Sequence, residues 1–361
     1  MPVSQEVQRF GKHLIVGVSG TSLNDDDKKL ISDLKPVGLL IYGKNFRIGT
    51  HYEVWLETLK ELIEQTREYA EREEMFISID HEGGRVHRTP LPITRFPEAF
   101  VFSDRAYEVA SVMALELKSL GINVSWAPVA DIFSNPTNPI IGPRSFGTTA
   151  GTAATGACQY YLGLRDSGII GCAKHFPGHG DTSKDSHLEL PVLNLTKEEL
   201  FARELIPFKA LIEQQIPMIM TAHILFPQID ADVPATLSKT ILTNILRQEL
   251  GFEGVIVSDD LDMKAVSDIY TNSGTVARTF NAGCDLFMVS RNLPSSSLER
   301  TYHIAQDFAD SLSNGSLDES IVAASEARIN ELLSVTPQYE VTMLDEDILI
   351  EHALLAINCA W

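Results

Sequence analysis

The chain has 361 residues, with 49 acidic side chains against 29 basic ones and a formal net charge of −20 at pH 7. That surplus of carboxylates argues against a general grip on nucleic-acid phosphates, and no apolar run approaches the roughly 18 residues of a membrane span. Hydrophobic residues at 44% and charged residues at 22% are the proportions of a globular protein with a sizeable core. The first residues lack the basic start and apolar stretch of a secretory signal, so the expected compartment is the reducing cytoplasm. Cys158, Cys172, Cys284 and Cys359 lie far apart, without zinc-knuckle or disulfide spacing, and read as buried thiols.

Eight short apolar runs follow in chain order, starting at His13, Gly38, Phe76, Ile122, Ile169, Met218, Gly254 and Cys284. Stretches with helical spacing separate them, among them Tyr52 to Ala70, Asp104 to Leu120, Lys197 to Glu213, Lys239 to Leu250 and Leu298 to Leu312. Thr196 and Glu199 stand in capping-box spacing at the start of one of these. Strands that are apolar throughout, rather than alternating, indicate a parallel sheet covered on both faces. Eight such units predict a (β/α)8 TIM barrel of class α/β, with a doubly wound open sheet as the competing architecture. One catalytic domain over residues 1–335 is expected, followed by a helical tail over 336–361 packed on the barrel.

Polar groups interrupt the apolar sequence where the strands end. Asp80, Asp131, Lys174 with His175, His223, and Asp259 with Asp260 all occupy such positions. In barrels and in open sheets alike, sites form beyond the carboxyl ends of the strands. Any one of these residues also has a structural reading, as a buried polar group bonded to backbone. The densest stretch is Lys174-His-Phe-Pro-Gly-His-Gly-Asp-Thr-Ser-Lys-Asp-Ser-His187, whose glycines and proline indicate a loop. In an extended segment Asp185 and His187 project to the same side, so the carboxylate can fix the imidazole tautomer and make a proton-transfer dyad.

A second chemistry stays open on the residues alone. His175, His179, Asp181, Asp185, His187 and His223 are all potential ligands for a divalent metal, although no helical His-Glu-x-x-His pair is present. At the seventh strand, alternation sends Asp259 and Asp260 to opposite faces, so one of them points into the mouth. A carboxylate held there can attack an anomeric carbon, or it can cap the following helix.

Taken together, these segments resemble glycoside hydrolase family 3, in particular its single-domain β-N-acetylglucosaminidases of peptidoglycan recycling. The histidine loop from Lys174 to His187 carries most of the resemblance. Asp80-x-Glu-Gly-Gly-Arg-Val86, Ala127-Pro-Val-Ala-Asp131, Ile141-Gly-Pro-Arg-Ser-Phe146, Thr221-Ala-His223, Pro234-Ala-Thr-Leu-Ser238 and Gly254-Val-Ile-Val-Ser-Asp-Asp-Leu261 extend it. The resemblance implies a retaining exo-acting enzyme with Asp259 as nucleophile, His187 as general acid/base and Asp185 as its partner. It further implies that Asp80, Arg88, Arg144, Lys174, His175 and His223 bind the terminal sugar, and that no metal or organic cofactor is needed. Competing readings are a glycosyl phosphorylase or β-glucosidase of the same family, a metal-dependent barrel hydrolase, and a catalytically silent sugar-binding protein. The expected partner is a small carbohydrate, without nucleic acid or membrane, and the chain is expected as a monomer or weak homo-oligomer.

Overall fold

The computed structural model describes residues 3–183, 190–293 and 296–359. Its eight parallel strands are β1 (Leu14–Gly17), β2 (Gly38–Ile41), β3 (Phe76–Ile79), β4 (Val124–Ser125), β5 (Ile170–Phe176), β6 (Met218–Thr221), β7 (Val255–Asp260) and β8 (Leu286–Val289). Each pairs with its neighbour in chain order, and β8 closes on β1 through Leu14↔Phe287, Ile15↔Met288 and Val16↔Val289. That closing ladder makes a barrel and eliminates the open sheet.

The continuous apolar strands have two destinations. Ile15, Leu40, Phe76, Val124, Cys172, Met218, Val257 and Leu286 turn inward and fill the barrel. Their chain neighbours, such as Leu14 and Val16, face the outer helices, as the two-residue period of a strand requires. Closing the sheet thus gives every strand two dry faces.

Helix Tyr52–Ala70 coincides with the stretch read from spacing, and helix Leu298–Ser313 nearly so. The stretch from Lys197 widens to π-helical geometry over Leu200–Glu204 before continuing as Leu205–Glu213, and Thr240–Glu249 is π-helical throughout. An antiparallel pair, Leu225–Phe226 with Asp230–Pro234, follows β6 and has no counterpart in the sequence reading. Beyond residue 335, Val341 bridges to Leu120, and helix Glu346–Cys359 lies along helix Ala106–Ser119. His352 Nδ1 there meets the buried carboxylate of Glu116 at 2.9 Å.

Candidate active site

Two irregular strands set the geometry at the barrel mouth. The β5–β6 register shifts between Ala173 and Phe176, and the β7–β8 register shifts between the partners of Leu286 and Met288. Such bulges re-aim side chains. Lys174 and His175, which strict alternation would send to opposite faces, therefore both line one cavity of about 460 Å3. Asp80, Arg88, Arg144 and Asp259 line it too.

The bulge in β7 also corrects the expectation that only one of its two carboxylate residues reaches the mouth, since Asp259 and Asp260 both touch the cavity. Their side chains differ in commitment. Asp260 accepts from Ser290 N at 2.9 Å, from Asp262 N at 3.1 Å and from Ser290 Oγ. Burial, followed by the charge of Asp262, pushes the Asp260 carboxyl up to about 7. Asp259 is less buried than Asp260, and its Oδ1 accepts from Asp260 N at 2.8 Å.

One wall is a chain of opposite charges. Lys174 Nζ donates to Asp80 Oδ1 at 2.6 Å and contacts Glu82 Oε1 at 2.5 Å, while Arg144 forks onto both oxygens of Glu82 at 2.8 Å. Burial opposes ionisation of Glu82, but Arg144 and Lys174 outweigh it and hold the carboxyl well below the usual range. Burial likewise disfavours the Lys174 ammonium, and Asp80 and Glu82 reverse that by raising its pKa. The result is a set of ion-paired donors and acceptors fixed in place before any ligand arrives.

The opposite wall is organised by Asp131. His175 Nδ1 donates to Asp131 Oδ2 at 2.7 Å, and His179 N donates to Oδ1 at 2.7 Å. Despite its burial, Asp131 is held below the ordinary carboxylate range by His175 and by the His179 backbone. Bonding Nδ1 leaves Nε2 as the remaining polar atom of the His175 ring. His179 Nδ1 meets Thr182 Oγ1 at 2.7 Å, and burial lowers its pKa to about 4.

His223 occupies a different place from the other expected sugar ligands. It is fully buried, with Nδ1 at 2.8 Å from Thr236 Oγ1 and Nε2 at 3.2 Å from the Asp260 carbonyl. It lines neither of the two mouth cavities. Thr236 comes from the Pro234-to-Ser238 segment, so that motif props the end of β6 against β7. Asp185 and His187 lie outside the described residues. The loop leading to them is described as far as Ser183 and is clasped by Asn138, whose Nδ2 donates to the carbonyls of His179 and Gly180 at 2.8 and 2.9 Å. Among the described residues, no group of three or more His, Cys, Asp or Glu is arranged to hold a metal ion.

Residues 7–332 match the family model described as Glycosyl hydrolase family 3 N terminal domain. The chain belongs to glycosyl hydrolase family 3. It is 33% identical over 348 residues to beta-hexosaminidase A of Pseudoalteromonas piscicida, covering 90% of this chain and spanning 57% of that relative's length. A beta-hexosaminidase of Psychromonas ingrahamii is 34% identical over 285 residues, 76% of this chain and 81% of its own. The crystal structure of NagZ from Neisseria gonorrhoeae in complex with N-trifluoroacetyl-D-glucosamine superposes with a TM-score of 0.73 at 28% identity, covering 97% of this chain and 98% of that one.

In this family 3 barrel, two of the side chains that organise the mouth were not among the expected site residues. Glu82 appears in the sequence only as part of a glycine-rich motif, although its spacing of two from Asp80 was a signal that both could serve one cluster. Asp131 was visible as an acid at a strand end, but its role in holding His175 depends on contact with another strand. Tyr42, which lines the cavity beside Arg88 at 5.8 Å from ring centroid to guanidinium, ends the second apolar run and was read there only as part of the strand.

Proposed function

We propose that the protein is a retaining exo-β-N-acetylglucosaminidase that releases terminal N-acetylglucosamine through a glycosyl-aspartate intermediate. The observation that carries this reading is Asp259 at the end of β7, in a cavity of about 460 Å3 whose walls hold Asp80, Arg144, Lys174 and His175. That volume suits one sugar ring, and paired charges suit its hydroxyls. The beta-hexosaminidase names of the relatives and the sugar analogue bound to NagZ support the same substrate class.

In the first step an Asp259 oxygen attacks the anomeric carbon, while His187 gives a proton to the departing glycosidic oxygen. In the second, His187 takes a proton from water, which attacks the same carbon and frees Asp259, giving net retention. Asp185 stabilises the imidazolium that His187 carries before the first step and regains in the second. Asp80 and Lys174 accept from and donate to ring hydroxyls, with Arg144, Arg88 and His175 around them, while His223 braces the ends of β6 and β7 through Thr236 and the Asp260 carbonyl.

A second cavity of about 760 Å3 shares Tyr42, Arg88 and Asn292 with the first. Its charged lining is Lys44, Arg88 and Arg95, without Asp or Glu among the described lining residues. In a chain of net charge −20, that favours an acidic leaving group, and a muropeptide meets the description. Trapping with a 5-fluoro-N-acetylglucosaminyl fluoride, followed by peptide mapping, tests the reading. Label is expected on Asp259; label on Asp260, or steady turnover with no labelled residue, overturns it.

A further inference from the structure

The π-helical turn Leu200–Glu204 lines neither mouth cavity, yet two of its side chains reach the root of the histidine loop. Arg203 lies between two carboxylates, donating from Nε to Glu204 Oε1 at 2.6 Å and from a terminal nitrogen to Asp181 Oδ2 at 2.6 Å. Ser134 Oγ reaches the other Asp181 oxygen at 3.3 Å, so the loop is tied from two sides. Glu204 is 1% exposed and sits beneath Gly178. A Cβ on Gly178 would meet Glu204 Cβ at 3.0 Å and Oε2 at 3.1 Å, and the Gly178 φ of +133° is one that side chains rarely adopt. Glu204 Oε2 has no hydrogen-bond partner among the described residues. Burial, opposed by the charge of Arg203, pushes this carboxyl up to about 7. An apolar side chain would fill the space at less cost. What the acid adds is a fixed acceptor for Nε, which orients the guanidinium toward Asp181.

We propose that Arg203 and Glu204 are positioning residues for the sugar cavity: they hold the turn from Gly178 to Asp181 so that His179 N–H stays on Asp131 and the His175 ring stays fixed. The contacts form an unbroken chain. His179 lies between the two gripped residues, and its N–H meets Asp131 Oδ1 at 2.7 Å while His175 Nδ1 meets Oδ2 at 2.7 Å. A turn that drifts takes one donor from Asp131, and burial then disfavours the charge that holds His175. His175 matters because the proposed function, on which this role rests, sets it against the terminal sugar. The guanidinium is suited to the task, since it bonds two carboxylates along two fixed directions where an ammonium is a single point charge. The Arg203 and Asp181 side chains are 40% and 30% exposed, so their pairing adds little to folding, and its loss is felt in geometry.

Arg203→Ala should melt close to the parent and lower kcat/KM on an aryl β-N-acetylglucosaminide by about tenfold. Asp181→Ala should do the same, and the double variant should lose no more than either single one, because the two side chains act as a unit. Millimolar guanidinium should recover much of the loss in Arg203→Ala and none of it in Asp181→Ala. Hydrogen exchange gives a readout independent of turnover: the His179 amide should exchange at least about tenfold faster in Arg203→Ala, with the barrel strands unchanged. His179 exchange at the parental rate overturns the proposal, and so do parental kcat/KM in Arg203→Ala or losses that multiply in the double variant. A parent chain inactive on N-acetylglucosaminides would strike the proposed function instead, and the exchange measurement would still decide whether Arg203 holds the turn.

Discussion

Glu82 balances two buried cations at once, and removing its charge should be felt in both folding and binding. Glu82→Gln leaves Lys174 with Asp80 and leaves Arg144 with the Ile140 carbonyl at 3.1 Å. Breaking a buried charge pair in this way is expected to cost about 3 kcal/mol in urea unfolding and to raise KM by on the order of tenfold. The pH dependence follows from the lowered carboxyl. Its contribution is complete above the unfolded value of about 4.3 and disappears as pH falls below that toward the folded value. The stability gap between parent and Glu82→Gln should therefore be full at pH 7 and shrink steadily below about pH 4.3. Urea titrations of both chains at several pH values check this. The chemical type of these side chains was legible in the sequence. Their pairing was not, because Arg144 lies 62 residues from Glu82, and Lys174 lies 94 from Asp80.

At the scale of elements, the described part of the histidine loop is held against the loop after β4 with no room to spare. A Cβ on Gly180 would sit 1.7 Å from the Ile132 carbonyl oxygen, so backbone would have to move. Asn135 Nδ2 donates to the Thr182 carbonyl at 3.0 Å, and Ser134 Oγ to Asp181 at 3.3 Å, which tie the same two loops together. Gly180→Ala should lower kcat by at least about tenfold while the circular dichroism of the barrel is unchanged, because displacement of a positioned group by about an ångström is enough. Assays of kcat alongside spectra decide the matter, and full activity would show that this clasp does not position the site. Long periodic elements such as Tyr52–Ala70 were readable from spacing alone. The run from Ile122 shortens to Val124–Ser125, in keeping with Pro128 having no N–H to extend a ladder. The Leu225–Phe226 pair is too short to generate a period.

Across the whole molecule, the segment after residue 335 ties the N-terminal ends of several strands together. Asn123 Nδ2 donates to the Met75 and Pro337 carbonyls at 2.9 and 3.0 Å, and Tyr339 Oη donates to the Gly168 carbonyl at 2.7 Å. Removing residues 336–361 would take the Asn123–Pro337 and Tyr339–Gly168 bonds, uncover the surface now facing Leu349 and Ala356, and leave Glu116 without His352. A loss of more than about 3 kcal/mol is expected, visible as a drop of several degrees in thermal unfolding. An unchanged melting curve would mean that the tail contributes nothing to the barrel.

The sequence by itself determined the alternation of strand and helix, the parallel class of the sheet, and the acids, lysine and histidines at the strand ends. Those features depend on periods of two and 3.6 residues and on side-chain chemistry, both properties of neighbouring positions. Only the tertiary structure decided that the sheet closes, that bulges bring consecutive residues of β5 and β7 to one cavity, and that Glu82 and Asp131 brace it. Each of these requires residues from distant strands to meet, and where distant segments meet is set by closure of the barrel rather than by any local pattern.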